Sequence, residues 1–218
     1  MYLPPQFAEP HVQEVHCIIH EHPLGMLVRN TGAGLEADHL PFLLDTDQGA
    51  DGQDSQGMLI AHVARANAMW QEIKNGEDVL VVFRGADGYI SPNWYPSKHE
   101  HHQLVPTWNY RVVHAHGTVR LHDDKKWVLG AIGKLTRTHE QRTHEVLPHA
   151  AGPWKIKDAP PAYLDSMLAH IVGIEIAVER IEAKFKLSQN RSATDLHSAV
   201  TQVSAAGNPA LGAAMDQR

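Results

Sequence analysis

The stretch IVGIEIAVERIEAKFKLSQNR, Ile171 to Arg191, decides the fold of this 218-residue chain and holds its first chemical clue. Its first part alternates as a half-buried strand does: Ile174, Ile176 and Val178 share one face, while Ile181, Ala183 and Phe185 follow on a changed one. A strand whose inward residues change phase needs an extra residue, so a bulge or bend is expected near Glu179 and Arg180. The run closes on KFKLSQNR, Lys184 to Arg191, which strings three cations, a hydroxyl and two amides together at the strand end. A phosphate favours such partners, because Arg binds it bidentately, Lys supplies a point charge, and hydroxyls and amides complete its oxygens. Lys184, Lys186, Ser188, Gln189 and Arg191 are therefore candidate ligands, against the simpler reading that the cations solvate an exposed strand end.

Working outward, Met26 to Arg29, Leu40 to Leu44, Met58 to Val63, Val79 to Phe83, Tyr89 to Ser91 and Arg111 to Leu121 are short apolar or β-rich runs between Gly, Asp and Asn clusters. That spacing suggests a barrel. Helical periodicity marks residues 10–22, 125–140 and 160–170, a short helix from Asn67 to Lys74, and a C-terminal helical extension over 192–216. The acidic, Gly-rich run Asp45 to Gly57 has no periodicity and reads as an exposed hairpin loop. One domain spanning 1–218, α+β and mainly β, is expected.

Net charge of −6 and a pI near 6.3 argue against nucleic-acid binding by bulk electrostatics, although a local basic patch around Lys125, Lys126, Lys134, Arg137 and Arg142 remains. One cysteine, Cys17, rules out an internal disulfide, and MYLPPQFAEPHV lacks the basic and apolar regions of a signal peptide. No window approaches the roughly 18 uninterrupted apolar residues of a membrane span, so a soluble, cytoplasmic protein with no membrane partner is expected. The 17 histidines make charge arguments pH-sensitive, yet none of their clusters has zincin spacing and no metal site is assigned. Gly32-Ala33-Gly34 with Ala37 matches the dinucleotide fingerprint formally, but Leu35 to Pro41 reads extended, whereas that fingerprint must open a helix.

Two segments join aromatics to hydroxyls and amides: Ser91, Asn93, Trp94 and Tyr95 in GYISPNWY, and Thr107, Trp108, Asn109 and Tyr110 in VPTWNY. A third, AHVARANAMW, offers His62, Arg65, Asn67 and Trp70. Apolar walls with a few convergent donors suit a planar heteroaromatic ligand, although buried Trp and Tyr are as often core.

With MYLPPQF, HLPFLL, AHVARANAMW, VLVVFRGADGYISPNWY, VPTWNYRVVHAHG, PWKIKDAPPAYLDSMLAHIVGIEI and IEAKFKLSQNR in order, the chain resembles the PaiB-like FMN-binding split barrels, classed as negative transcriptional regulators. The resemblance implies a six-stranded antiparallel split barrel with peripheral helices, and a homodimer with FMN where the subunits meet. By the same carry-over, His62, Arg65, Asn67, Ser91, Asn93, Trp94, Tyr95, Thr107, Trp108, Asn109, Lys186, Ser188, Gln189 and Arg191 are the expected flavin neighbours. Arg65, Lys186, Ser188 and Arg191 are assigned to the phosphate, and Trp94, Thr107, Trp108 and Asn109 to the ring. Direct DNA binding, an FMN-dependent oxidoreductase or flavin reductase, and a haem-binding role stay open as alternatives.

Overall fold

A computed structural model describes residues 1–46 and 56–217, so most of the loop expected at Asp45 to Gly57 lies outside the described residues. In chain order these residues form helix α1 (Val12–Glu21), strands β1 (Leu24–Thr31), β2 (Gly34–Pro41), β3 (Leu43–Asp45) and β4 (Met58–Ala64), and helix α2 (Met69–Glu72). Strand β5 (Asp78–Ile90), helix α3 (Lys98–His101), strand β6 (Thr107–His122), helices α4 (Lys125–Val146) and α5 (Pro161–Leu168), strand β7 (Ile171–Lys186), and helices α6 (Ala193–Ala205) and α7 (Pro209–Asp216) follow. None of the helices is long and apolar enough to cross a membrane.

The sheet is mainly antiparallel and runs β2-β1-β5-β6-β7-β4-β3. It corrects the expected architecture: seven strands stand among the described residues instead of six, and β2 and β3 are its two unpaired edges, so hydrogen bonding does not close it into a barrel. The extra strand comes from Leu40–Leu44, which is not one strand. Pro41 has no N–H to continue the ladder, Phe42 turns its own N–H to the Pro23 carbonyl at 2.8 Å, and pairing resumes at Leu43 with a different partner, Ile60. The two edges of a seven-stranded sheet are thus joined through one residue. Seven strands spaced by about 4.8 Å would hold flat edges far apart, so the sheet must curl until β2 and β3 meet at Phe42.

The described chain divides into two compact units, Met1–His22 with Val82–His114 and Glu182–Arg218, and Pro23–Val81 with Ala115–Ile181. In the second, β1 and β2 form a hairpin with Thr31 opposite Gly34, and Gly34 takes φ 125°. Gly32-Ala33 is therefore the hairpin turn, which accounts for the formal dinucleotide match without a phosphate site. Arg29 is only 5% exposed on β1 and ties the hairpin to α2, through Glu36 at 2.5 Å, Glu72 at 2.9 Å and Asp38 at 3.6 Å. Helix α2 is four residues long rather than the expected Asn67 to Lys74, and Asn67 reaches forward to accept the Met69 N–H at 2.9 Å. Helix α4 lies against β4, burying Val128, Ala131 and Leu135, and overruns its expected end because no proline intervenes before Pro148.

The two strands expected at Val79 to Phe83 and Tyr89 to Ser91 are one, β5, whose residues from Val82 onward belong to the first unit. The glycines between them do not mark a turn. A Cβ on Gly88 would come within 3.0 Å of Asn208 Nδ2 and Leu211 Cδ2, so glycine lets α7 approach the strand. Phe83, Ile90, Val113, Phe185, Leu187, Val203, Leu211 and Met215 build this unit's core. Strand β7 shows the expected break: its buried apolar positions are even from Val172 to Val178 and odd from Ala183, with Glu179 and Arg180 both exposed.

Phe42 is 2% exposed. Replacing it by alanine leaves the backbone link but empties the seam, so Phe42→Ala should lower the unfolding free energy by about 3–5 kcal/mol, read from urea denaturation. An unchanged midpoint would mean that the link does not depend on its side chain.

Candidate functional site

Where β7 ends, the chain turns on Ser188, which takes φ 64°, a left-handed conformation unusual for a residue with a Cβ. Two sets of bonds hold that turn: Arg191 N–H donates to the Ser188 carbonyl at 2.9 Å, and Gln189 uses both ends of its amide locally. Its Oε1 accepts from Leu187 N–H at 2.7 Å and its Nε2 donates to the Phe185 carbonyl at 2.6 Å. Gln189 therefore shapes the loop. The Ser188 hydroxyl points inward, 2.8 Å from Asn109 Nδ2 and 3.0 Å from the Tyr95 hydroxyl. Tyr95 and Asn109 are fully buried, Asn109 Nδ2 also lies 3.5 Å from Met215 Sδ, and Asn109 Oδ1 finds no hydrogen-bond partner among the described residues.

Three cations surround this buried node. Lys184, 8% exposed, donates to the Tyr2 carbonyl at 3.0 Å and sits over the rings of Tyr2 and Tyr110 at 5.2 and 5.6 Å. Lys186 donates to Thr107 Oγ1 and forms no ion pair among the described residues. Burial, above all, pushes its ammonium below the ordinary lysine range; Tyr110 opposes that shift, and the positive charges of Lys184 and Arg191 add to it. Arg191 lies 5.2 Å over the Tyr95 ring. Asp195, buried at the start of α6, accepts from Ser97 N–H at 3.1 Å and Ser97 Oγ at 2.6 Å. Burial pushes its carboxyl up, but the bonds from Ser97 and Ser192 and the charge of Arg191 outweigh it and hold the carboxyl low.

Among the other predicted residues of this unit, Ser91 caps a one-turn helix by accepting Asn93 N–H at 3.2 Å, and Asn93 accepts from Lys98. Trp94 is half-buried. Trp108 is 51% exposed, with its indole N–H on Asp87 Oδ1 at 2.8 Å and its ring edge-to-face with Tyr89 at 6.4 Å. Tyr95, Thr107, Asn109, Lys186, Ser188, Gln189 and Arg191 thus share one cluster.

His62, Arg65 and Asn67 belong to the other unit. Arg65 is already engaged by protein groups: its fork takes both oxygens of Asp123, its Nε donates to the Ala169 carbonyl at 2.8 Å, and its guanidinium lies 5.5 Å over Trp70. Asp123 in turn is held below the usual carboxylate range by that fork. Gripping a phosphate would require Arg65 to release Asp123. Asn67 donates to Asp38 Oδ1 at 2.9 Å. His62, on β4, has a buried Nδ1 without a hydrogen-bond partner among the described residues, and burial keeps its ring from protonating as readily as a free imidazole.

Asp195 and Asp123 went unread in the sequence. Ser192 three residues before Asp195 is a helix-start signal that could have drawn attention to the first; its hydroxyl accepts Asp195 N–H at 3.2 Å. Nothing local links Asp123 to Arg65, 58 residues away.

Residues 1–180 match the sequence profile of a family described as "Putative FMN-binding domain". The chain is 32% identical over 209 residues to the protein named protease synthase and sporulation protein PAI 2 of Bacillus subtilis, covering 96% of this chain and 92% of that protein. Among solved structures, the FAD and haem binding protein from Mycobacterium smegmatis superposes with a TM-score of 0.55 at 14% identity, over 92% of this chain and 80% of that one. The flavocytochrome Anf3 from Azotobacter vinelandii gives 0.53 at 13% identity, over 82% and 69%. At such identities these two structures speak for the fold alone.

Removing the Ser188 hydroxyl strands the buried Asn109 amide donor and the buried Tyr95 hydroxyl, so Ser188→Ala should cost about 1–3 kcal/mol in urea unfolding. Ser188→Gly, which loses the same hydroxyl but accepts φ 64° freely, should lose less. Equal losses would show that the left-handed turn carries no strain.

Proposed function

Because the chain belongs to the PaiB-like FMN-binding family and takes FMN as its cofactor, we propose that it is a regulatory flavoprotein that anchors the FMN phosphate at the end of β7. The carrying observation is Lys186: a partly buried ammonium, flanked by Lys184 and Arg191, bonded to a hydroxyl and lacking an ion-pair partner among the described residues. Three cations with only the Asp195 carboxylate beside Arg191 to offset them repel one another, and a phosphate dianion is the complement that relieves them. The residues present therefore fit the group. Lys186, Arg191 and Thr107 would hold the phosphate, while Ser188 and Gln189 shape the turn beneath it and Asn109 and Tyr95 fix that turn from inside. Bound FMN supplies reversible one- and two-electron transfer.

The half-exposed Trp108, held by Asp87 beside Tyr89, offers an aromatic face for the flavin ring. A second copy of the chain completing that face is part of the same reading, and FMN would then stabilise the dimer by mass action. The regulatory role draws support from the name of the Bacillus relative, which ties that protein to protease synthesis and sporulation. Direct reading of DNA through α4 is not favoured, because Lys125 is paired to Asp165 at 2.7 Å and Lys134 to Asp45 at 2.5 Å. We place the regulation upstream of any DNA contact.

Arg191→Ala and Lys186→Gln should each weaken FMN binding about tenfold or more, measured by quenching of flavin fluorescence. Stoichiometric FMN in both variants would move the anchor elsewhere. The pH dependence has a definite sign. Free Lys186 loses its proton below the ordinary lysine range, whereas a bound phosphate favours the protonated form, so binding takes up a proton in the window between. Wild-type affinity should fall as pH rises through that window, and Lys186→Arg, charged throughout, should show no such fall. NADH or NADPH oxidation no faster than with free FMN fits a regulator; turnover well above it would replace this reading with an oxidoreductase. A low-salt gel shift showing tight binding to DNA would overturn the placement upstream of DNA contact.

A further inference from the structure

Helix α4 and the segment after it enclose a cleft of about 420 Å³ between Thr136, Arg137 and Gln141 on the helix and Trp154 and Lys155 on the loop. Ile156 and Pro153 give it an apolar wall. The volume falls within the range of small-molecule sites, and the lining has their composition: an aromatic plane, an aliphatic side and a few polar groups. All of these residues belong to the unit Pro23–Val81 with Ala115–Ile181, and none is among those assigned to FMN.

Three features give the cleft a chemical preference. Glu140, one turn beyond Arg137, also lines the cleft, but its Oε2 is engaged in accepting the Trp154 N–H at 2.9 Å, which pins the loop to the helix. Arg137 forms no ion pair among the described residues, and Lys155 adds a second positive charge on the opposite wall, so the two cations outnumber the one carboxylate. The neighbouring cleft of about 440 Å³ on α4 differs in this respect, since its Lys134 is neutralised by Asp45 and its Lys126 shares the lining with Asp124 and Glu175. The floor is Gly133, in the interior of a 22-residue helix where glycine is a poor helix former. Packing does not demand it: a Cβ there would meet Ile156 Cδ1 at 3.7 Å, ordinary contact. Glycine at this position keeps the cleft open.

We propose that this cleft binds a small aromatic carboxylate, with the ring between Trp154 and Ile156 and the carboxylate on the Arg137 fork, making it an effector site separate from the flavin residues. An Arg fork matches the two oxygens of a carboxylate, and Thr136 and Gln141 can donate to them as well. Occupancy of this cleft does not depend on where FMN is held.

The test is calorimetric titration of FMN-loaded protein with 2-naphthoate, with 2-naphthylmethanol as the uncharged counterpart. Saturable binding of the acid is expected, at least about tenfold tighter than the alcohol. Arg137→Ala should weaken it about tenfold. Gly133→Leu, which fills the floor from a helix-compatible position, should abolish it while leaving far-UV circular dichroism and the melting temperature at wild-type level or above. Absence of saturable binding, equal affinity for acid and alcohol, or undiminished binding by Arg137→Ala overturns the proposal. Arg137 is exposed on α4, so its replacement tests the site even if Gly133→Leu fails to fold.

Discussion

Everything in the larger unit hangs on the single residue between β2 and β3. A sheet ordered β2-β1-β5-β6-β7-β4-β3 would lie open if its ends were free, but Phe42 joins those ends covalently. Curvature is therefore imposed by connectivity before any side chain packs. The Pro23 carbonyl and the burial of the Phe42 ring then fix how the corner is turned. The same constraint explains why the sheet can curl without closing: the chain leaves β2 with its register broken by Pro41 and re-enters at β3 paired to β4.

In the smaller unit the organising element is polar. Ser188 links Asn109, on β6, to Tyr95, in the segment between β5 and β6, and does so from a left-handed turn at the end of β7. Asp195 secures the same segment to α6 through Ser97. These bonds are satisfied inside the protein, so they set geometry, and on the proposed reading they leave Lys186, Thr107 and Arg191 to face the phosphate. Leu187, Ser188 and Gln189, which shape the turn, then lie between the two phosphate-facing cations. A rigid anion site requires such a turn, since it must not rearrange when the charge arrives.

Much of this was legible in the sequence, and the failures are informative. The alternation in Ile171 to Lys186 and its break at Glu179 and Arg180 could be read directly, because burial of a strand face leaves a period of two. The division of Leu40 to Leu44 could not, since it depends on partners that lie elsewhere in the chain. Gly85 and Gly88 misled for a related reason: a glycine that admits a neighbouring side chain looks, in sequence, like one that makes a turn. Around the site, residue type pointed to the cations and aromatics as candidates. It could not say that Gln189 would be used up by its own backbone or that Arg65 would be clasped by Asp123, because both facts concern partners rather than composition.

The change of phase in β7 separates two kinds of mutational tolerance. Glu179 and Arg180 are exposed, so side chains of other sizes fit there without displacing the core. Removing either one is a different operation. A one-residue deletion would restore unbroken alternation to the strand and take away the extra residue on which its bend depends. The most permissive position for side chains in this strand is thus among its least permissive for length, and variation in the protein should be free in letters there but fixed in count.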